Sequence, residues 1–394
     1  MSVSIHAPAR ALALAAGLIL CLGAGVAGAS PITPGHPAGS RVVGHLYVND
    51  NTAGANTIAA YARHADGSVT PVPGSPFATG GAGTGTGIGS QGALQKADHG
   101  RLLLAVDAGS NQISVLRIEH DGALAPVAGG PVASGGDEPV SIAVHGGRVY
   151  VANAGTDSDY AGFNLTPAGA LTPIADGGFA LPAGSDPGDV LINATGTRVA
   201  GTRVGTSLID SFVVGPAGRL VAAASSPYAA QGPGPFGSEF SPTDPDQLFV
   251  SNAHGGADAG TVSAFADGDG GALTSIGSSP FPNNQTAPCW VTITRDGQFL
   301  FTVNTAVPSI SSYAIAPSGA LTLVGNTPFA GTDTSSLGPE DARLTASQSM
   351  LWVVDTHGDA LSGFHVSDGT VTPVAGGPIA LPAGAAPFGI VTTS

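Results

Sequence analysis

Leu102-Leu103-Leu104-Ala105-Val106-Asp107-Ala108-Gly109-Ser110-Asn111-Gln112-Ile113-Ser114-Val115 reads as a strand ending in an acid, a turn of small residues and a second strand. The strand returns as Leu46-Tyr47-Val48-Asn49, Tyr150-Val151-Ala152-Asn153, Phe249-Val250-Ser251-Asn252, Phe301-Thr302-Val303-Asn304 and Trp352-Val353-Val354-Asp355, with a degenerate copy at Val199-Ala200-Gly201-Thr202. With Asn49, Asp107, Asn153, Thr202, Asn252, Asn304 and Asp355 as markers, the intervals are 58, 46, 49, 50, 52 and 51 residues. A fixed period of this size with four short strands per unit is the signature of a β-propeller blade.

Working outward, the fullest copies add an apolar strand led by proline before the marker strand. After it come a strand ending at a Gly-Leu hairpin and a last strand closing on proline. Ile113-Ser114-Val115-Leu116 leads to Asp121-Gly122-Ala123-Leu124 and Gly130-Pro131, and Ile310-Ser311-Ser312-Tyr313 leads to Ser318-Gly319-Ala320-Leu321 and Thr327-Pro328. The glycines stand where a hairpin needs positive φ. The chain has 60 Gly and 31 Pro, but their fixed positions in the repeat argue against a low-complexity chain. The first copy, from Arg41, lacks a Pro-led strand ahead of it, while the chain ends in Ala386-Pro387-Phe388-Gly389-Ile390-Val391-Thr392. The expected fold is all-β: a seven-bladed propeller over residues 41–394, with the C-terminal strand closing the first blade and removing the open sheet edge.

Residues 1–29 read as a secretory signal peptide: Arg10, an apolar run from Ala11 to Val26, then Ala27-Gly28-Ala29 as cleavage site. Residues 30–40 are a short linker. Lipid attachment at Cys21 is the rival reading, with Leu20 in place of the small residue that attachment prefers. The expected location is extracytoplasmic, with no membrane span in the mature chain. Loss of Arg10 leaves 11 basic against 27 acidic residues. So acidic a molecule is a poor partner for nucleic acid. One cysteine, Cys289, survives processing and lies in an apolar strand, which excludes an internal disulfide and points to a buried thiol.

Several short motifs carry no chemistry. Gly87-Ile88-Gly89-Ser90-Gln91-Gly92 fits a dinucleotide fingerprint but precedes a strand instead of opening a helix, so it reads as the link between two blades. Asp267-Gly268-Asp269-Gly270 starts like a calcium loop and lacks the later ligands. No metal site and no cofactor are expected, and a monomer is. Chemistry should sit at the mouth where first strands begin and second strands end. Glu340-Asp341-x-Arg343 is the most charged entrance there, with Glu340 or Asp341 as base and Arg343 as carbonyl-polarising group. An interblade ion pair is the structural alternative. Asp189, His254, Trp290 and His357 are the expected substrate-binding residues.

Across residues 41–394 the repeated strings resemble those of the lactonase-type seven-bladed propellers, which include 6-phosphogluconolactonase and the carboxymuconate lactonising enzyme. The resemblance implies the propeller and a lactone-directed activity. Members with the muconate or phosphogluconate chemistry carry Gly-Pro-Arg-His at a first-strand entrance. Here that entrance is Gly338-Pro339-Glu340-Asp341, so acids replace both signature bases. The departure counts against a phosphorylated sugar lactone. Two readings stand: a secreted lactonase-like hydrolase acting on a small lactone, and a non-enzymatic extracellular propeller binding a glycan, peptide or envelope component.

Overall fold

Short apolar runs separated by Gly-containing turns fold each copy into an antiparallel meander. In the third blade it runs Pro139–His145, Arg148–Asn153, Asp159–Leu165 and Leu171–Pro173, from the ring axis outward. The computed structural model describes residues 40–329 and 338–394. The expected signal peptide and all but the last residue of the linker lie outside them. Seven such sheets are present, and Arg41–Ser394 forms one compact unit. No helix among the described residues is long and apolar enough to cross a membrane.

Closure follows the sequence reading. Ile390–Thr392 pairs antiparallel with Val42–Asn49, setting Val391 opposite Tyr47. Backbone bonds from Ala386 N to Asp50 O and from Phe388 N to Asn49 O extend the seam. Three cations fasten its far end: Arg343 reaches Ile390 O, Lys96 reaches Thr392 O and Arg63 reaches Thr393 O.

Blades pack through large side chains on their middle strands, among them Tyr47, Tyr150, Phe163, Phe249 and Phe301, each no more than 1% exposed. The hairpin glycines Gly122 and Gly319 have φ of +86° and +82°, as their turns require. Gly122 also supplies an interblade tie, its carbonyl accepting the Tyr47 hydroxyl at 3.0 Å, and the Gly218 carbonyl accepts Tyr150 in the same way.

The structure corrects two points of strand reading. The last strand is broken in all but one blade: Leu124–Pro126 and Val132–Ala133, for example, pair with opposite ends of Gln112–Ile118. In the sixth blade it runs unbroken over Leu321–Pro328. The fourth marker also moves by one residue, because Pro187 pairs with Arg203 where Pro139 pairs with Asn153. Arg203 and not Thr202 therefore closes that strand, and it grips Asp210 through Nε and Nη2. Asn304 makes the matching reach, to Ser311 at 2.9 Å. Asn153, Arg203, Asn252 and Asn304 thus hold the second strand to the third inside their blades.

The 58-residue first interval has a structural cause. Between Phe77–Ala78 and Leu94–Ala97 the chain makes an extra excursion that crosses the ring axis. Ser90 Oγ donates to Val140 O, Gln91 N to Gly188 O, Gln91 Nε2 to Ser238 O, and Val291 N to Gln91 Oε1, so the segment touches blades three to six. A Cβ on Gly237 would lie 2.3 Å from Gln91 Oε1, so only glycine lets the plug come this close. Ile88 on the plug joins Phe236, Cys289, Trp290 and Phe388 in one buried apolar cluster.

Candidate active site

This cluster closes the mouth where first strands begin, the mouth at which the sequence placed the chemistry. Phe236 and Trp290 stack with ring centroids 5.4 Å apart, and the Trp290 indole N–H donates to Ser90 O at 2.8 Å. Trp290 is 2% exposed and belongs to the seal. His254 and His357 lie beside Gly234 and Gly338 on that closed face. Glu340, 8% exposed, also belongs there: burial pushes its carboxyl well above the ordinary range, with Asp341 and Asp355 adding to the rise, and Oε2 has no hydrogen-bond partner.

The polar cavity opens on the opposite, hairpin face. Its volume is about 250 Å³, and Gln91 and Gln95, Asp189, Ser238, Glu239, Ser241 and Arg343 supply its polar wall. The repeat explains why these side chains meet. Glu239 and Arg343 each stand four residues after the proline that opens a first strand, Pro235 and Pro339, while Asp189 and Asp341 each stand two residues after theirs. Equivalent positions on sevenfold-related strands converge on the axis.

Asp189 is almost fully buried and ties three blades: Oδ1 accepts Ser141 Oγ at 3.0 Å, and Oδ2 accepts both N and Oγ of Ser238, at 2.9 and 2.7 Å. Burial raises it to about 7 against those hydrogen bonds, with Asp341 adding repulsion. Glu239, half-exposed, accepts the Ile293 N–H on Oε2 at 3.0 Å, which leaves Oε1 without a hydrogen bond. Burial raises it too to about 7, opposed by the Arg343 charge and supported by Asp189 and Asp341. Asp341 is raised by burial and lowered by Arg343 and by the amides of Ala342, Gly92 and Ile390. Arg343 makes no ion pair among the described residues, its one hydrogen bond being the 3.4 Å contact from Nε to Ile390 O. The interblade ion pair weighed from sequence is therefore not what holds it. Of the expected residues, Asp189, Asp341 and Arg343 come together. Glu340, His254, Trp290 and His357 do not join them. Glu239 was missed, although a repeat alignment carried to the fourth residue after proline sets it level with Arg343.

The fold defines a class, the seven-bladed β-propeller, and comparison with known proteins agrees on it. Residues 205–390, just under half of the chain, match the family described as "Lactonase, 7-bladed beta-propeller". Solved structures with a TM-score of 0.69 include a 6-phosphogluconolactonase-like protein of Bacteroides uniformis, 19% identical, and the periplasmic gluconolactonase PpgL of Pseudomonas aeruginosa, 18% identical. Each alignment covers 89% of this chain and 99% of the other. At this identity the likeness shows the fold alone. No protein of curated function matches the sequence.

Proposed function

We propose that the protein is an exported lactone hydrolase acting in the axial pocket on the hairpin face. One observation carries the reading: two carboxyls held near pH 7, Asp189 and Glu239, share a pocket with a guanidinium that forms no ion pair among the described residues. A general base is most effective with a pKa near the working pH. Glu239 is the base, because Oε1 is uncommitted while both Asp189 oxygens are bonded. It takes a proton from water as the water oxygen bonds to the lactone carbonyl carbon. Arg343 stabilises the oxyanion that forms. The intermediate then collapses, the ring C–O bond breaks, and the Glu239 carboxyl returns its proton to the departing alkoxide.

The substrate class is an uncharged lactone. Arg343 is the pocket's single cation, and the nearby Lys96 ammonium is committed to Thr392 O, which leaves too little positive charge for a phosphoryl group. The similar fold of PpgL, a periplasmic gluconolactonase, accords with both the reaction and the compartment. Export rests on Ala27-Gly28-Ala29, and the mature chain should start at or near Ser30.

Purified mature protein assayed against a panel of lactones tests the reading. Arg343→Ala should lower turnover by about 10²–10³-fold. Glu239→Gln should remove the rise of activity with pH around neutrality that accompanies ionisation of the base. A wild type that hydrolyses no lactone would refute it and leave the non-enzymatic binding propeller.

A further inference from the structure

The pocket is sharply divided, and the division follows ring order. At the position four residues after the opening proline, the third, fourth, fifth and seventh blades carry Ala143, Leu191, Glu239 and Arg343. By strand pairing Gln95 is the counterpart in the second blade, and all five line the cavity. Around the ring the polar members flank an apolar pair, Ala143 and Leu191, which lies across the axis from Arg343 in the seventh blade. The residues that follow in these two strands, Val144 and Ile192, are also apolar, and Ala194 and Pro242 continue the wall to its rim. Val144, Leu191 and Ile192 are half-exposed and Ala194 and Pro242 exposed, so this wall meets solvent. Ala143, with the smallest side chain at its ring position, leaves room beside Leu191.

From this geometry we infer that the lactone accepted in the axial pocket bears an aliphatic substituent, which lies along the Ala143–Leu191 wall while the ester faces Glu239 and Arg343. The inference deepens the hydrolase reading and rests on it for the identity of the head group. A ligand whose carbonyl meets Arg343 extends across the axis toward the third and fourth blades, where Asp189 already has both oxygens hydrogen-bonded and the wall from Ala143 and Leu191 outward offers no side-chain hydrogen-bonding group. A polyhydroxylated ring there would lose hydrogen bonds to water and gain none. An alkyl chain would instead withdraw both itself and the half-exposed Val144, Leu191 and Ile192 from water.

The test uses two series on the mature protein: hydrolysis of γ-lactones of increasing alkyl length beside glucono-δ-lactone, and calorimetric binding of the matching alkyl lactams, which do not turn over. Each added methylene should raise kcat/KM and lactam affinity by about fourfold until the chain passes the rim. Glucono-δ-lactone should be the poorest substrate. Leu191→Asn should flatten both series. If that variant fails to fold, Ile192→Thr serves, since its side chain is already half in water. Hydrolysis with no dependence on chain length overturns the aliphatic inference and leaves the hydrolase reading standing. Lactam binding that tightens with chain length, without hydrolysis of any lactone, does the reverse. Absence of both binding and hydrolysis overturns the two together.

Discussion

Gln91→Ala should cost stability out of proportion to its single side chain, because Gln91 is the hub of the axial plug. Its amide nitrogen donates to Ser238 O at 2.7 Å and its amide oxygen accepts Val291 N–H at 2.9 Å, partners 147 and 200 residues away. Both partners lie on inner strands whose axis-facing edges have no neighbouring strand. Truncation leaves a buried carbonyl and a buried N–H unpaired, each costing about 1–3 kcal/mol. Water entering from the pocket recovers part of this, so the expected loss is about 2–4 kcal/mol. At about 2.1 cal/mol/K of unfolding entropy per residue, a domain of about 350 residues shifts by roughly 1.4 °C for each kcal/mol, giving a Tm drop of about 3–6 °C. Differential scanning calorimetry measures this directly. Gln95→Ala is the control: the side chain lines the same pocket, is half-exposed and makes no hydrogen bond, so Tm should stay within about 1 °C. Gln91→Glu sharpens the test, since a carboxyl in that place keeps its shape but must stay protonated beside Asp189 and Glu239. Its penalty should be small at pH 5 and larger than that of Gln91→Ala at pH 8. A Gln91→Ala protein that melts with the wild type would refute the argument that these two bonds hold the plug across the axis.

Truncation after Ala385 removes the closing strand and exposes the edge of Val42–Asn49, so the product should aggregate; a soluble monomer by light scattering would contradict the closure. Every carboxyl shift resolved among the described residues is upward, including Asp50, Asp189 and Glu239 to about 7 and Asp267 to about 6. The folded chain therefore holds protons that the unfolded chain releases above about pH 4, and stability should fall as pH rises from 4 through 7. A Tm no higher at pH 5 than at pH 8 would count against it. Cys289, 7% exposed with its thiol pushed up to about 12 by burial, should resist a bulky maleimide until the protein is denatured. Rapid stoichiometric labelling of the folded chain would overturn that reading.

The blade count, the strand order and the closing strand were legible in the sequence because they rest on local periodicity. Tyr150, Phe249, Phe301 and Trp352 each stand three residues before their markers, and Ala386-Pro387-Phe388 repeats the opening of an inner strand. The stray marker, Thr202 for Arg203, arose because a buried arginine fills a slot that other blades give to Asn or Asp. Only the register showed that its Asp210 partner does the work of Ser311 opposite Asn304.

For the site, local pattern identified single residues but not their assembly. Asp189, Asp341 and Arg343 stood out by charge, yet so did Glu340, His254 and His357, which the fold leaves on the sealed face. Which mouth is open depends on where residues 79–93 go, and the sequence showed only that this link is long. Its path is fixed by hydrogen bonds and aromatic contacts to four other blades, interactions between residues 50 to 200 positions apart that no local pattern encodes. Repetition along the chain was thus enough to specify a ring of seven equivalent blades. Packing at the axis, where the blades are no longer equivalent, decided which face carries the pocket and gathered Glu239 and Arg343 into it.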